Sequence, residues 1–422
     1  MAYRWNKIMI AVVIPFLLCL PFGLLGIDTN VLLGCVAYVL FMYNVILGLR
    51  PAIVEKWVDL QNLYLAHGVT ALLAVLFATL HVNDSHVGGF AKTIGDMAWY
   101  LSIAITALAL VYLTSQVEQF LPILKKPIDI VKQISQRFFF TREINVWIHL
   151  LAPLIVIFIF IHVLCIDSYR SDTTFMIIFT LYFAVFAVLY LYYGIYKKVH
   201  VSRYRVQKVT PLNKQTYELS LQYCGGAKLK VKGGQFVFIH TNQGQWNEYH
   251  PFSVLSVSGS QAQEIRLGIR VSGDYTTALS KIHPDEEVKI RGVYGHFTAP
   301  HHGKTVVAIG GGVGVTPCIS LLQSLPKEAN GTLIWSVHSR QDLVFDDEIE
   351  RLKVTHPNIR VIEHVTSEKG HLDGKALAQY VPKTKNTKFY LCGPAPMTKA
   401  MIHILHQQGV SSRSIVTEGF IF

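Results

Sequence analysis

Charge is scarce in this chain. Only 15% of its 422 residues are Asp, Glu, Lys or Arg, against 51% hydrophobic. Cysteine is sparse too: Cys19, Cys35, Cys165, Cys224, Cys318 and Cys392 form no C-x-x-C pair, which argues against a zinc site or an iron–sulfur cluster. No EF-hand loop and no proline-rich docking segment occurs. Calcium control and an obligatory protein partner are therefore not expected. The net charge is +11, yet no basic stretch is interleaved with exposed aromatics in the second half, so nucleic acid is not an expected partner.

What is abundant is apolar sequence. Up to about residue 196 it falls into six runs, 8–26, 30–49, 61–82, 96–115, 144–166 and 173–195. Each is near the length of about 20 residues that spans a hydrocarbon core, and a helix satisfies its own backbone there. The first run also begins like a secretory signal, with Arg4 and Lys7 ahead of it. Pro21 and the lack of a small-residue cleavage site favour a span. Basic residues then set the orientation. Arg50 and Lys56 follow run two, Lys125, Lys126, Lys132, Arg137 and Arg142 precede run five, and Lys197, Lys198, Arg203 and Arg205 follow run six. The opposite loops hold only Lys92 and Arg170. The expectation is a multi-pass protein of the cell membrane with both termini cytoplasmic, its basic loops resting on anionic lipid.

Four histidines lie inside these runs: His67 and His81 in the third, His149 and His162 in the fifth. The separations of 14 and 13 residues correspond to roughly 20 Å along a helix axis. Imidazole in lipid is costly unless partnered. Because runs three and five point the same way, His67 pairs in depth with His149 and His81 with His162. Two stacked b-type haems, each held by two histidines, fit this arrangement and would carry electrons across the bilayer. One difficulty is rotational: 14 residues leave two side chains about 40° apart around a helix, 13 leave them about 140° apart. Run five must therefore distort, or its two ligands must reach their haems from different azimuths. Pro153, which cannot donate to the carbonyl of residue 149, is a candidate cause of distortion. His86 lies just beyond the outer pair and reads as a solvated loop histidine.

From about Val199 the pattern changes. Tyr204–Val209, Thr216–Gln222, Gln235–His240, Glu264–Arg270 and Glu287–Arg291 read as short strands punctuated by Gly and Pro, as in a small antiparallel barrel. After about residue 303 strands alternate with helices. Thr305–Ile309 precedes Gly310-Gly311-Gly312-Val313-Gly314-Val315-Thr316-Pro317, with further strands near Leu333–Val337, Ile359–His364 and Phe389–Leu391. Alternation implies a parallel sheet with a nucleotide at its carboxyl edge, and glycines between strand and helix allow close approach of a pyrophosphate. The fold class is thus a multi-domain membrane protein: a six-helix transmembrane bundle over 1–196, an antiparallel barrel over 199–300 and an α/β nucleotide-binding domain over 303–422.

The ordered segments HPFS (His250–Ser253), GDYT (Gly273–Thr276), YGHF (Tyr294–Phe297), GGGVGVTP (Gly310–Pro317), CGPAPM (Cys392–Met397) and EGFIF (Glu418–Phe422) resemble the ferredoxin–NADP⁺ reductase superfamily. The membrane half, with Gly48-Leu49-Arg50-Pro51, resembles the ferric-reductase-like transmembrane domain. The whole chain resembles a prokaryotic member of the NADPH oxidase and ferric reductase family. That resemblance implies an FAD-binding barrel in which His250, Pro251, Phe252 and Ser253 hold the flavin. Gly273, Tyr275, Thr276 and Thr277 would contact its phosphates or ribityl chain, and Gln235 and Phe236 would line it. Gly311, Gly312, Gly314, Thr316 and Pro317 would form the nicotinamide nucleotide's phosphate loop, closed by Cys392, Gly393 and Pro394. Arg340 stands where a guanidinium would take a 2′-phosphate and favour NADPH over NADH, the competing view being a surface pair with Asp342. Phe422 would stack on the isoalloxazine. Ser253, Cys392 and Phe422 are the candidate catalytic residues.

The resemblance further implies a reaction: NADPH, with NADH as the alternative donor, reduces FAD, and two haems conduct electrons to an external acceptor. Dioxygen giving superoxide is the first expectation, ferric iron or another small acceptor the second. Two departures from the family stand out, the first bearing on the acceptor and the second on a haem-propionate contact. Run two carries no arginine in its outer half, and Leu150 follows His149 where relatives often have arginine. A nucleotide-gated transporter or channel with proton-relaying histidines is the alternative from a different class.

Overall fold

The computed structural model describes residues 5–418 apart from 52–53, 55–56, 59, 84–86, 113–125, 128, 132–141, 198–200, 242–248, 260, 301–304 and 382–385. Phe422, His86, Lys56, Lys125, Lys132, Arg137 and Lys198 therefore lie outside the described residues. The chain divides into two compact units after Lys197.

The first unit is helical: α1 (Trp5–Leu18), α2 (Thr29–Gly48), α3 (Leu60–Asn83), α4 (Gly89–Tyr112), α5 (Arg142–His149), α6 (Ala152–Leu164) and α7 (Thr173–Tyr190). Asp28 and Asp172 start α2 and α7 by accepting the backbone N–H groups of Asn30 and Phe175, as N-cap residues do. Among the described residues five helical stretches are long and apolar enough to cross a membrane: Thr29–Gly48, Asn62–Asn83, Gly89–Tyr112, Ile144–Leu164 and Thr173–Tyr196. The first expected span falls short of that. Here α1 carries Pro15 and stops at Leu18, and only the helical turn Leu20–Gly23 follows. Half of α2 is buried, against about a fifth of each other span, so α2 is the central post. Leu181, Val185 and Val188 on α7 are exposed, each by more than half, which suits a lipid-facing surface rather than water.

Run five does distort. Helix α5 ends at His149 and α6 begins at Ala152, with Leu150–Leu151 turned between them. There Leu154 N–H donates to Leu151 carbonyl, a tighter i→i−3 bond, beside a proline that has no N–H to give.

In the second unit six antiparallel strands close a barrel in the order β1-β2-β5-β4-β3-β6. They are β1 (Ser202–Pro211), β2 (Thr216–Gly226), β3 (Phe236–His240), β4 (His250–Ser258), β5 (Glu264–Arg270) and β6 (Glu287–Tyr294), with α8 (Asp274–Leu279) between the last two. The start of β1 alternates buried and exposed residues, the period of a sheet with one wet face. A five-stranded parallel sheet follows, ordered β11-β10-β7-β8-β9. Its strands are β7 (Thr305–Gly311), β8 (Gly331–Val337), β9 (Ile359–Val365), β10 (Thr387–Cys392) and β11 (Ile415–Glu418). Val306 and Ala308 pack on one side of β7 with Leu321 of α9 (Val315–Gln323) and Leu352 of α10 (Asp346–Thr355). Val307 and Ile309 pack on the other with Leu377 of α12 (Gly374–Tyr380) and Leu405 of α13 (Ala395–Gln407). The short α11 (Thr366–Lys369) follows β9. Both faces are covered, which is why β7 reads as an unbroken apolar run.

Candidate functional site

In the helical unit the four histidines stand as two pairs. The ring centres of His67 and His149 are 5.8 Å apart at an interplanar angle of 68°; those of His81 and His162 are 6.5 Å apart at 83°. Two imidazoles sharing one metal at about 2 Å each would have ring centres about 6 Å apart. Among the described residues no three His, Cys, Asp or Glu side chains converge to hold a metal. A bare zinc or iron ion therefore lacks ligands at either pair, whereas two axial imidazoles suffice when a porphyrin supplies the rest. A cavity of about 400 Å³ opens beside His81 and His162, lined by Gly34, Gly95, Trp99 and Phe179. These residues fit a haem.

A local device sets three of the four rings. His67 Nδ1 donates to the Asn44 carbonyl (3.2 Å), His81 Nδ1 to the Asn30 carbonyl (2.9 Å) and His162 Nδ1 to the Ala91 carbonyl (2.7 Å). A carbonyl only accepts, so each Nδ1 carries the proton and Nε2 keeps its lone pair for a metal. One turn beyond each carbonyl stands a glycine. A Cβ at Gly48 would come 3.4 Å from His67, at Gly34 3.0 Å from His81, and at Gly95 2.8 Å from His162. Asn30-x₃-Gly34 and Asn44-x₃-Gly48 on α2 thus repeat at 14 residues, the spacing of His81 and His67 on the antiparallel α3. His149 is the exception. Its Nδ1 is buried with no hydrogen-bond partner among the described residues, and its helix ends there.

The expected flavin residues gather on β3, β4 and the start of α8. Phe236 lies opposite Ser253 in one ladder and Tyr294 in the next. Both Phe236 and Ser253 are buried. His250 stacks on Tyr275 with ring centres 3.8 Å apart, and Phe252 lies 6.2 Å from the same ring. Tyr275 donates to the Ile239 carbonyl at 2.9 Å. Burial pushes its hydroxyl up to about 12, so it remains a donor. Pro251 takes a ladder position opposite Phe238. Gln235 does something else: its amide donates to the Gly295 carbonyl and accepts from Lys232 N–H, clamping the strand. Thr276 accepts from the N–H groups of Ser272 and Gly273, and Thr277 donates to the Gly273 carbonyl. Those two hydroxyls brace the turn. A Cβ at Gly273 would meet nothing within 4 Å, leaving room for a ligand against the turn. The named hydroxyls and the Gln235 amide are taken up inside the protein, so what fits a flavin here is the open room at Gly273 beside the stacked His250 and Tyr275 rings.

The nucleotide loop sits where the strand order reverses, between β7 and β10, the usual ligand crevice of such folds. Cβ atoms at Gly314 and Gly393 would lie 2.6 Å from the Cys392 carbonyl oxygen and 3.0 Å from Gly311 Cα respectively. Gly311, Gly314, Cys392 and Gly393 are therefore one packed backbone unit, and Pro394, at the start of α13, borders Gly311. Gly312, with φ +56° and open space beside it, needs the left-handed region that glycine enters without cost. Thr316 and Pro317 are buried, and Thr316 donates back to the Val313 carbonyl. They shape the loop from beneath.

Two further residues join the site beyond those named for it from the sequence. Trp335, fully buried at the end of β8, donates Nε1–H to the Gly312 carbonyl at 3.0 Å and fixes the loop apex. Glu418 is in register with Cys392 across β11 and β10, and its carboxylate lies 3.0 Å from where a Gly295 Cβ would stand. Burial first, then this carboxylate, pushes the Cys392 thiol well above its ordinary range. Cys392 is therefore a neutral thiol. Gly295 and Glu418 already lie within YGHF and EGFIF, and only the contact between them is new; nothing local marks Trp335. Arg340 pairs with Glu368 of α11, Nε–Oε1 2.7 Å and Nη2–Oε2 2.9 Å, while Asp342 accepts from Ser339.

Gly314→Val tests the loop. Its φ is −62°, so the backbone tolerates the change and only the contact with Cys392 and Gly393 resists it. Displacing a positioning loop by about 1 Å costs on the order of 100-fold in rate. The expected result is flavin reduction by nicotinamide nucleotide slowed to that degree with FAD content retained, read by stopped-flow absorbance at the flavin band. Wild-type rates in the variant would remove the loop from the site.

Comparison with known proteins bears on this second unit. A model described as FAD-binding domain matches residues 201–312, and one described as Oxidoreductase NAD-binding domain matches 308–403. The chain is 27% identical over 236 residues to the propane 2-monooxygenase reductase component of Mycolicibacterium smegmatis, covering 52% of this chain and 67% of that protein. It is 26% identical over 224 residues to the toluate 1,2-dioxygenase electron transfer component of Pseudomonas putida (51% and 66%). A crystal structure of an Amycolatopsis cytochrome P450 reductase aligns at TM-score 0.46 and 21% identity, covering 52% of this chain and 69% of that one. The chain thus spans about two thirds of the length of the relatives it matches. It carries an FAD-binding domain followed by an oxidoreductase NAD-binding domain, the pair that supports NAD(P)H-driven electron transfer.

Proposed function

We propose that this chain is a transmembrane oxidoreductase that takes electrons from NAD(P)H on the cytoplasmic side and delivers them to an acceptor outside, most readily dioxygen to give superoxide. The observation that carries the reading is the pair of facing imidazole couples, at ring separations of 5.8 and 6.5 Å, in a chain whose other unit carries FAD- and NAD-binding domains. His67 with His149 would hold the inner haem, His81 with His162 the outer one. Bound FAD would supply the change from hydride to single electrons, and bound haems one-electron conduction. The chain's own residues do the positioning. Carbonyls of Asn30, Asn44 and Ala91 fix three tautomers, glycines keep the rings from being displaced, and the Gly311–Gly314 loop seats the pyrophosphate. Ser253, Phe236 and Cys392 would border the reacting rings, and Phe422 would cover the flavin. The domain limits 1–196, 199–300 and 303–422, a sixth span through α1, and the plasma-membrane orientation belong to the same reading.

Ferric iron is the second acceptor to weigh. The cavity beside the outer pair holds Asp28 and Asp96, but Lys92 lines it too and pairs with Asp96 at 3.1 Å, so its lining does not by itself favour a cation. The test is spectroscopic and then kinetic. Purified protein is expected to show a bis-imidazole Soret band that NAD(P)H reduces only when FAD is present. Turnover with oxygen, a ferric chelate and a quinone, each with and without superoxide dismutase, then ranks the acceptors. A colourless preparation would discard the wire and favour a nucleotide-gated transporter or channel.

A further inference from the structure

The Arg340–Glu368 pair sits at the carboxyl edge of the parallel sheet. Ser336 of β8 is in register with Gly311, the start of the glycine loop, and Arg340 follows four residues later. In turn β9 runs in register with β8 through Val337 and Val365, and Glu368 follows in α11. The two turns are tied together, Ser367 N–H donating to the His338 carbonyl at 3.1 Å. Arg340 and Glu368 therefore project from neighbouring strand ends beside the loop that seats a nucleotide's pyrophosphate, where the adenosine ribose lies in folds of this topology.

Glu368 meets the guanidinium with two parallel contacts of 2.7 and 2.9 Å, the bidentate geometry that a phosphate would otherwise use. A 2′-phosphate reaching Arg340 has to share the guanidinium with this carboxylate or displace it. Both cost affinity, the first through like charges in close contact. A ribose diol meets no such conflict, since a carboxylate at a strand end accepts hydrogen bonds from hydroxyls.

We propose that Glu368 is a specificity residue that turns the nucleotide site away from a 2′-phosphate, so that NADH is accepted at least as well as NADPH. This rests on the reading of the glycine loop as a nicotinamide nucleotide site, and it reverses what Arg340 implies when read alone. Because the pair is exposed (69% and 40%), water screens it and the effect is bounded. Loss of the carboxylate is expected to move the preference by about three- to tenfold.

The test uses the full-length protein in detergent with 2′,5′-ADP and 5′-AMP as probes, binding measured by calorimetry. Anaerobic flavin reduction by NADPH and NADH supplies the second readout. Wild type is expected to bind 5′-AMP as tightly as 2′,5′-ADP or more so. Glu368→Gln should shift the 2′,5′-ADP to 5′-AMP affinity ratio, and the NADPH to NADH ratio of kcat/KM, upward by about three- to tenfold. Arg340→Gln added to Glu368→Gln should cancel the gain, as coupled residues do in a double-mutant cycle. Ratios unchanged in Glu368→Gln, or a wild-type preference above tenfold for 2′,5′-ADP, would overturn the proposal while leaving the nucleotide site standing. If no nucleotide binds the wild type, the site reading itself fails and the proposal with it.

Discussion

Replacement of His81 by alanine is expected to cut the haem content of the purified protein from two per chain toward one. Reduction of an external acceptor should be abolished, while reduction of the flavin by nicotinamide nucleotide remains measurable. The reasoning is geometric. His81 and His162 face each other across 6.5 Å, and His81 is set by the Asn30 carbonyl on one side and the absence of a side chain at Gly34 on the other. Without the imidazole, a haem held there would keep His162 alone, and among the described residues no further imidazole lines the cavity. The inner pair depends on Asn44 and Gly48 instead, so its ligands are untouched. Gly34→Val should give a weaker version of the same phenotype, since a Cβ there already crowds the ring at 3.0 Å. Pyridine haemochrome assay gives the stoichiometry, and single-turnover flavin bleaching gives the inner reaction. If the His81→Ala protein retains two haems and normal external reduction, the assignment of the outer pair is wrong.

How far the sequence leads differs between the two units for physical reasons. Imidazoles in apolar runs announce themselves because burial in lipid is costly, and their matched depths are legible from spacing and loop charge. The tether is not. Asn30-x₃-Gly34 and Asn44-x₃-Gly48 become meaningful only when the register of α2 against α3 is known, and in isolation they look like ordinary helix residues. Pro153 points to the break after His149, whereas the spare Nδ1 of that histidine follows only from the packing around it. In the second unit β4 is hard to read as a strand because it opens with His250-Pro251, and proline is rare within sheets; its ring sits opposite Phe238 at the strand's first positions. Strand β11, only four residues long, gains its meaning from pairing with β10. Arg340 does stand at a strand end, but its partner is 28 residues away in sequence, beyond the reach of any local pattern. Phe422 lies outside the described residues, so its role stays with the proposal.

The second large effect is expected from Arg266, where the barrel meets the nucleotide-binding domain. Its guanidinium makes two hydrogen bonds to Glu218, Nε–Oε1 2.8 Å and Nη2–Oε2 2.6 Å, and lies 2.9 Å from Glu348 Oε1 on α10. Arg351 approaches the same oxygen at 3.0 Å, but among the described residues no donor is aligned on it for a hydrogen bond. The side chains of Glu218 and Glu348 are 9% and 4% exposed. Arg266→Leu therefore leaves two nearly buried carboxylates facing each other, a loss of about 3–5 kcal/mol at neutral pH. For a unit of this size that corresponds to roughly 10 °C in Tm.

The pH dependence gives this prediction its signature. Burial holds the Glu348 carboxyl above its usual range even with Arg266 present, the attraction of Arg266 opposing that rise. Removing the arginine removes the opposing pull. A carboxyl whose folded value exceeds its unfolded value of about 4.3 weighs against folding only once ionised. The penalty is absent below the unfolded value and grows as pH rises through the folded one. The Arg266→Leu deficit should therefore be largest at about pH 7–8 and shrink on acidification toward about pH 5, the reverse of acid denaturation. Thermal unfolding of the full-length protein, followed by release of flavin fluorescence, measures it. A Tm within about 2 °C of wild type at neutral pH, or a deficit that does not shrink on acidification, would show that the cluster is not what joins barrel to sheet. Replacing Glu218, Arg266 and Glu348 together with Leu, Met and Leu should recover most of the loss, because desolvation of all three charges disappears with them.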